Sequence, residues 1–216
     1  MKDHAAPHRP FPRLCLPGIL AVLLAGCDSF SLPDQFILPG EDKVVLALAV
    51  DNAVVQRNGS VGLLPSGGEK PYRFDAPSAF DLSTGTATYG VGYITNATYT
   101  AGGAIGKVRI TLRDAGDATA FAYVTILPPK PTLLGERIGG NQTINLTWTF
   151  PAPDAEILTG FLLECSTDGS AFTASGTHGK DSVGTSFNNL NASAGYTYRL
   201  RALSGTYESE PVTISL

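Results

Sequence analysis

Short segments of alternating apolar and polar residues run from residue 43 to the end of the 216-residue chain. Alternation of this kind places every second side chain on one face of a β-strand. Glycine, asparagine, aspartate and serine separate the segments, as turns between strands require. Helical periodicity is nearly absent. The pattern predicts an all-β protein with strands in residues 43–50, 65–74, 106–126, 143–153, 160–173, 190–203 and 211–216.

A proline-rich segment, Leu127-Pro128-Pro129-Lys130-Pro131, interrupts this pattern. Proline has no backbone N–H to donate, so this segment is expected to be a short, stiff linker rather than a central strand. The stretch on either side is long enough for one β-sandwich. We therefore predict two tandem β-sandwiches, at residues 43–127 and 132–216, joined by a linker at 128–131.

The segment 106–126 has the clearest strand pattern in the first sandwich and is predicted to be a hairpin. Its other face carries Phe121, Tyr123 and Thr125, which either form a contact surface or pack against a neighbouring strand or the second sandwich. Together with the glycine-rich stretch 99–106, the hairpin resembles bacterial Ig-like modules, which implies an Ig-like sandwich over 43–127. Alternate residues are apolar and should face the core: Val108, Ile110, Leu112, Ala118, Ala120, Ala122, Val124 and Ile126.

The second sandwich carries an aromatic signature. Trp148 lies on the apolar face of segment 143–153, and Leu190 precedes Tyr196 by six residues. These residues and the strand pattern around them resemble a fibronectin type III domain. The resemblance implies a sandwich of that type over 132–216, in which the hydroxyl group of Tyr196 closes a corner between strands.

The N-terminus has the pattern of an export signal. Basic residues precede an apolar stretch at residues 14–25, which is shorter than the roughly 20 residues that a membrane-spanning helix needs. A buried N-terminal helix is the alternative, but the prolines in this region oppose it.

The apolar stretch ends in Leu24-Ala25-Gly26-Cys27. This motif resembles the lipobox of bacterial lipoproteins, which implies cleavage before Cys27 and a diacylglycerol group on its thiol. The resemblance predicts a signal peptide at 1–26, a lipidated tether at 27–42, and a membrane-anchored protein of the cell envelope, periplasmic or surface-exposed. An ordinary secreted protein with a chance cysteine is the alternative.

Charge and cysteine content limit the partners. Loss of residues 1–26 would remove three basic residues and one acidic residue, which shifts the formal net charge from −4 to −6. An acidic chain without basic clusters is not expected to bind nucleic acid. The expected partners are the membrane, through the anchor at Cys27, and an unidentified protein or polysaccharide. Cys165 would be the remaining cysteine, so we expect no internal disulfide.

No motif of known chemistry stands out, and we expect no catalytic residue, cofactor or metal site. His178 lies in a glycine- and serine-rich stretch interpreted as a solvated loop, and Cys165 is expected to face the core. Calcium at Asp114 with Asp117, or at Glu41 with Asp42, remains an alternative, since carboxylate oxygens suit that ion.

These observations favour a non-catalytic, lipid-anchored binding or spacer protein of the envelope, with residues 174–185 and 203–210 as candidate contact loops. The alternative is an accessory carbohydrate- or peptidoglycan-binding protein that works with a separate enzyme chain. A hydrolase that uses His178 is a third, weaker possibility.

Overall fold

The computed structural model describes residues 44–83, 89–140 and 142–216. The predicted signal peptide, Cys27, the tether and the Glu41–Asp42 pair lie outside the described residues. The described chain is all-β apart from one 3-10 helix, which confirms the predicted fold class. No helix in the described residues has the length and apolar character to cross a membrane.

The described residues before the proline segment, in what we call the N-terminal half (residues 44–127), form ten strands. They are β1 (Ala47–Leu48), β2 (Asn52–Gln56), β3 (Ser60–Gly62), β4 (Pro65–Ser66), β5 (Arg73–Phe74), β6 (Ser78–Leu82), β7 (Gly92–Thr95), β8 (Thr98–Ala101), β9 (Gly106–Arg113) and β10 (Thr119–Leu127). The β2, β5, β6, β9 and β10 strands form one sheet, in which β10 pairs with β9 antiparallel and with β2 in parallel. The β3, β7 and β8 strands form a second sheet, and β1 pairs with β4.

The predicted hairpin is present as β9 and β10, joined by a turn at residues 114–118. Val108, Ile110 and Leu112 are fully buried, as are Ala122 and the apolar residues that follow it on alternate positions of β10. Burial of these side chains stabilises this half of the chain.

The prediction of a single strand at residues 43–50 is wrong. The regular ladder in this segment is limited to β1, although backbone hydrogen bonds from Gly68 to Val44 and from Ala49 to Leu64 flank it, and a separate strand, β2, follows. The partner of β1 is short because Gly67 and Gly68 both take positive φ angles, +68° and +59°, and turn the chain immediately after β4. Val44 and Val45 are consequently 70% and 80% exposed.

Where the structure describes the C-terminal half (residues 128–216), the chain forms eight strands and one 3-10 helix. The elements are β11 (Thr132–Ile138), β12 (Thr143–Thr149), the 3-10 helix (Ala152–Ile157), β13 (Gly160–Ser166), β14 (Thr173–Gly179), β15 (Gly184–Phe187), β16 (Thr197–Ser204), β17 (Tyr207–Glu208) and β18 (Val212–Ser215). The β11, β12 and β15 strands form one sheet, and β13, β14, β16, β17 and β18 form the other. No strand pairing among the described residues joins one half to the other.

The core of the C-terminal half forms around Trp148. Its indole N–H donates to the backbone oxygen of Ser182 at 2.7 Å, and its ring lies against Phe161 with the ring centroids 5.9 Å apart. Leu163 and Leu200 are fully buried beneath it on β13 and β16. The indole therefore packs in the apolar core and also links strand β12 to the turn before β15 through its hydrogen bond.

The interpretation of residues 174–185 as a loop is also wrong for most of the segment. Residues up to Gly179 belong to β14, which pairs antiparallel with β13. His178 lies in this strand, with its ring centroid 5.0 Å from that of Trp148 in an edge-on arrangement. The small residues that suggested a loop instead form an edge strand, because the ladder to β13 satisfies their backbone groups.

Candidate functional site

The predicted contact loop at residues 203–210 packs against the N-terminal half. The hydroxyl of Tyr207 donates to Asp81 Oδ2 at 2.8 Å and lies 3.2 Å from the Asp81 backbone oxygen. Ser204 is fully buried, and its Oγ lies 3.1 Å from Ser83 Oγ. This segment therefore joins the two halves through Ser204 and Tyr207.

Polar contacts reinforce this connection around the 3-10 helix. The guanidinium of Arg57 forms an ion pair with Asp154 and lies over the ring of Tyr89, 5.2 Å from its centroid. The hydroxyl of Tyr89 is 3.3 Å from Glu156 Oε2. The side chains of Arg57 and Asp154 are 10% and 16% exposed, so this ion pair is largely shielded from solvent and adds to the contact between the halves.

A second set of contacts involves the proline segment. Lys130 Nζ lies 2.7 Å from Glu210 Oε2, and Gln56 Nε2 donates to the same oxygen at 3.4 Å. The ammonium group of Lys130 holds the pKa of Glu210 below its ordinary value. These side chains are largely exposed, so their individual contribution to stability is small.

The outer face of the large N-terminal sheet carries a cluster that we call the aromatic–cation face, made up of Phe80, Lys107, Arg109, Phe121 and Tyr123. The rings of Phe80 and Tyr123 meet edge to face, with centroids 4.9 Å apart. Lys107 Nζ lies 4.7 Å from the centroid of Tyr123 and 5.7 Å from that of Phe80. Arg109 Cζ lies 5.5 Å from the centroid of Phe121. Each cation is therefore positioned against a negative ring face.

Local strand geometry explains how these five side chains meet. Lys107 and Arg109 alternate with the buried residues of β9, and Tyr123 is the register partner of Arg109. Phe80 occupies an irregular position of β6, where the pairing with β9 shifts register. A bulge of this kind re-aims a side chain, and here it accompanies the contact between Phe80 and Tyr123.

The aromatic–cation face is open to solvent. Phe80 is 55% exposed and Phe121 is 47% exposed. Tyr123 packs against Phe80 of a neighbouring strand, as one interpretation of the aromatic stripe predicts, whereas the use of Phe121 as a contact surface stays a prediction.

Neither Lys107 nor Arg109 makes an ion pair with a carboxylate within the described residues. Asp81 is the register partner of Lys107, but its carboxylate accepts a hydrogen bond from Tyr207 of the C-terminal half. The Asp81 carboxylate thus contacts Tyr207 of the C-terminal half and forms no ion pair with Lys107 in the described residues.

The outer face of the large C-terminal sheet also carries cations and aromatic rings, but its cations are paired with a carboxylate. Both oxygens of Glu164 accept hydrogen bonds from Arg199 at 2.7 Å, and Arg201 Nε lies 3.4 Å from Glu164 Oε2. Arg199 also lies over the ring of Phe172, 4.2 Å from its centroid. Hydrogen bonding from Arg199 holds the pKa of Glu164 below its ordinary value.

The comparisons with known proteins identify the C-terminal half. Residues 128–215 match the family model of the fibronectin type III domain. These residues form a fibronectin type III domain. The match begins four residues before the predicted start at 132. A comparison with curated proteins gives no match.

Two solved structures are similar to the chain. One is a segment of two fibronectin type III domains from chicken tenascin, with 14% identity, coverage of 80% of this chain and 97% of that chain, and a TM-score of 0.46. Another is a computer-redesigned β-sandwich protein, with 22% identity, coverage of 41% of this chain and 92% of that chain, and a TM-score of 0.35.

The fibronectin type III domain contains the corner that the resemblance implied. The backbone N–H of Asn191 donates to the hydroxyl oxygen of Tyr196 at 3.3 Å, five residues along the chain. The ring of Tyr196 is stacked near that of Tyr198, and Arg137 lies over it. Tyr196 therefore ties the loop before β16 to that strand.

Cys165 lies opposite Tyr198 in the register of β13 and β16 and packs against the core of the fibronectin type III domain. Burial raises the pKa of the Cys165 thiol above its ordinary value. A raised pKa keeps the thiol protonated at neutral pH and opposes a nucleophilic role.

Asp114 and Asp117, the candidate calcium ligands in the described chain, lie in the turn between β9 and β10. The two carboxylate oxygens of Asp114 accept backbone N–H groups from Ala118 at 2.8 Å and Glu69 at 2.9 Å. Asp117 takes a positive φ angle of 60° in the same turn. This geometry shows a role in shaping the hairpin turn.

The sequence alone does not predict which cations on the sheet faces are paired with a carboxylate. The alternation along β9 predicts that Lys107 and Arg109 lie on the solvent-exposed face. It does not predict that Phe80 joins Phe121 and Tyr123 on that face. Its position depends on the bulge in β6, for which the sequence offers no clear signal. The contact between Tyr207 and Asp81 likewise joins residues far apart in sequence.

Proposed function

We propose that this protein is a non-catalytic binding or scaffold protein of the bacterial cell envelope, anchored by lipid at Cys27. The observation that carries the proposal is the packing of the fibronectin type III domain against the N-terminal half through Tyr207 and Ser204. This packing makes the two halves a spacer that presents open sheet faces to a partner. Domains of this fold hold functional sites on their surfaces, so the partner is set by those faces.

The anchor is tested by metabolic palmitate labelling with and without globomycin, an inhibitor of lipoprotein signal cleavage. We expect label in the wild-type protein, loss of label in Cys27→Ser, and accumulation of the uncleaved chain with the inhibitor. Protease treatment of intact cells then separates a surface position from a periplasmic one. Absence of label in the wild-type protein would refute the lipid anchor.

The scaffold role is tested by cross-linking in intact cells followed by purification in detergent. We expect the protein to co-purify with a defined envelope complex and to lose that complex when the contact between its halves is disrupted by Tyr207→Ala. Tyr93→Ala is the matched control, because Tyr93 is 61% exposed on the other N-terminal sheet. Recovery of the protein without any partner under these conditions would argue against a scaffold.

Carbohydrate or peptidoglycan binding is the second candidate function, with catalysis supplied by a separate enzyme chain. The specific observation in its favour is the exposure of Phe80 and Phe121 beside Lys107 and Arg109. Exposed rings on a sheet mark a contact surface when they form a contiguous patch. Saturable binding to purified envelope polysaccharide by the Cys27→Ser chain would support this function, and its absence would count against it.

A further inference from the structure

We propose that the aromatic–cation face binds an acidic polysaccharide, one that carries carboxylate or sulfate groups. This inference rests on the binding role proposed above and names the chemistry of the partner. Its residues are the exposed rings of Phe80 and Phe121, the ring of Tyr123, and the cations Lys107 and Arg109.

The first argument is charge. Lys107 and Arg109 lie side by side on β9, and neither forms an ion pair within the described part of the chain. The nearby Arg113 is already paired with Asp75 at 2.9 Å. Two unpaired cations on one face of a chain with a formal net charge of −4 select an anionic partner at that face.

The second argument is the fixed position of these cations. Lys107 lies within 4.7 Å of the centroid of Tyr123, and Arg109 within 5.5 Å of that of Phe121. Contact with a ring limits the conformations of a long side chain before a ligand arrives. Less entropy is then lost when a carboxylate or sulfate group binds.

The third argument is the shape of the face. Exposed rings on an open sheet face suit an extended chain of sugar rings, whose apolar C–H groups can cover Phe80 and Phe121. An extended polymer also meets successive cations along β9, so weak single contacts act together.

Charge density favours a polysaccharide over a nucleic acid. Duplex DNA carries one charge per about 1.7 Å of helix axis, and proteins commonly neutralise several phosphates to bind it. Two unpaired cations on an acidic chain provide too little positive charge for that. A polymer with more widely spaced acidic groups matches Lys107 and Arg109 better.

The test uses the full chain with Cys27→Ser, so that binding is measured without the anchor. Affinity electrophoresis and calorimetry would compare polygalacturonate, its methyl-esterified form, dextran, heparin and single-stranded DNA at low and moderate salt. We expect saturable binding to polygalacturonate or heparin, which separates the carboxylate source from the sulfate source. Binding should weaken as salt rises, because exposed charges are screened.

The variants assign the binding to this face. We expect Lys107→Gln/Arg109→Gln to weaken binding at least tenfold and Phe121→Ala to weaken it several-fold. The matched controls are Lys180→Gln, an exposed lysine of the fibronectin type III domain, and Tyr93→Ala, an exposed ring on the other N-terminal sheet. The controls should bind like the parent chain. Thermal melts would confirm that every variant is folded.

Several results would overturn the proposal: no binding to either acidic polysaccharide at low salt, equal binding to dextran, tighter binding to single-stranded DNA, or parent-like binding by both face variants. These failures are separate from a failure of the anchor, since palmitate labelling is measured on the wild-type chain. They are also separate from a failure of the scaffold role, which is measured by cross-linking in cells.

Discussion

The two large sheets of this protein present outer faces of similar composition that differ in one respect. Each face places cations against aromatic rings, Lys107 and Arg109 in the N-terminal half and Arg199 in the fibronectin type III domain. On the fibronectin type III face, Glu164 accepts two hydrogen bonds from Arg199. On the N-terminal face, the carboxylate of Asp81, the register partner of Lys107, accepts a hydrogen bond from Tyr207 instead.

This difference separates a structural face from a binding face. A cation that already holds a bidentate carboxylate gains little from an outside anion, because the existing pair would have to be broken first. A cation held only by rings keeps its hydrogen-bond donors available. The same residue types therefore stabilise one sheet and equip the other to bind a partner.

Removing the carboxylate from the outer face of the large C-terminal sheet should have the largest effect on the free energy of unfolding. Glu164→Ala would leave Arg199, whose side chain is 25% exposed, without the carboxylate that it pairs with, whereas Arg201 would keep Glu208 at 3.7 Å. We expect the free energy of unfolding to fall by about 1–3 kcal/mol. Lys107→Ala should change it by no more than about 0.5 kcal/mol, because no carboxylate is left unpaired. Urea denaturation measures both values.

The control for this comparison is Glu136→Ala, which removes an exposed glutamate from β11 of the same domain. We expect little change in unfolding free energy for this variant. An equal loss in Glu136→Ala and Glu164→Ala would contradict a special role for the Glu164 pair.

The paired face should also respond to acid. The pKa of Glu164 is lowered in the folded state, chiefly by hydrogen bonding from Arg199. A lowered folded-state pKa contributes stability above the unfolded-state pKa of about 4.3, and that stability is lost as the pH falls through the folded-state value. Glu164→Gln should therefore be less stable than the parent at pH 7, and the gap should narrow below about pH 4. Urea denaturation across this range measures the gap, and a constant gap would contradict the assignment.

The strand pattern predicts which residues face the core better than it predicts which charged residues on the outer faces form ion pairs. Alternation along β9 and β10 placed Val108 in the core and Arg109 outside, because side chains alternate along any strand. The limits of β1 are not predicted from its own sequence, because they depend on its partner β4. That partner ends where Gly67 and Gly68 turn the chain. The pairing of Glu164 with Arg199 and of Asp81 with Tyr207 depends on tertiary contacts, for which a single sequence has no periodic signal.

Removing the hydroxyl of Tyr207 tests whether the contact between the halves controls the charge of the aromatic–cation face. Tyr207→Phe takes away the hydrogen bond to Asp81, and we expect a loss of about 0.5–1.5 kcal/mol in unfolding free energy. The Asp81 carboxylate can then pair with Lys107 across the strands, so acidic-polysaccharide binding should fall several-fold. Tyr93→Phe is the control, since Tyr93 is 61% exposed. Unchanged binding in Tyr207→Phe would show that Asp81 does not control the charge of Lys107.

Adding a carboxylate to the N-terminal face should have the smallest effect on stability and the most informative effect on binding. Thr125 is the register partner of Lys107, so Thr125→Glu places opposite charges directly across β9 and β10. Cross-strand pairs of this kind contribute about 0.2–1 kcal/mol, and the lower strand preference of glutamate offsets part of that gain. Urea denaturation should thus show a change below about 1 kcal/mol.

The same change would make the N-terminal face resemble the fibronectin type III face, because Lys107 would then hold its own carboxylate. Acidic-polysaccharide binding should fall at least several-fold in calorimetry at low salt. Thr98→Glu adds the same charge to an exposed position of β8, on the other sheet, and should bind like the parent. A loss of binding in Thr125→Glu alone would show that the local pairing state of Lys107 controls recognition. Equal losses in both variants would show that net charge is responsible and that the two faces do not differ as argued.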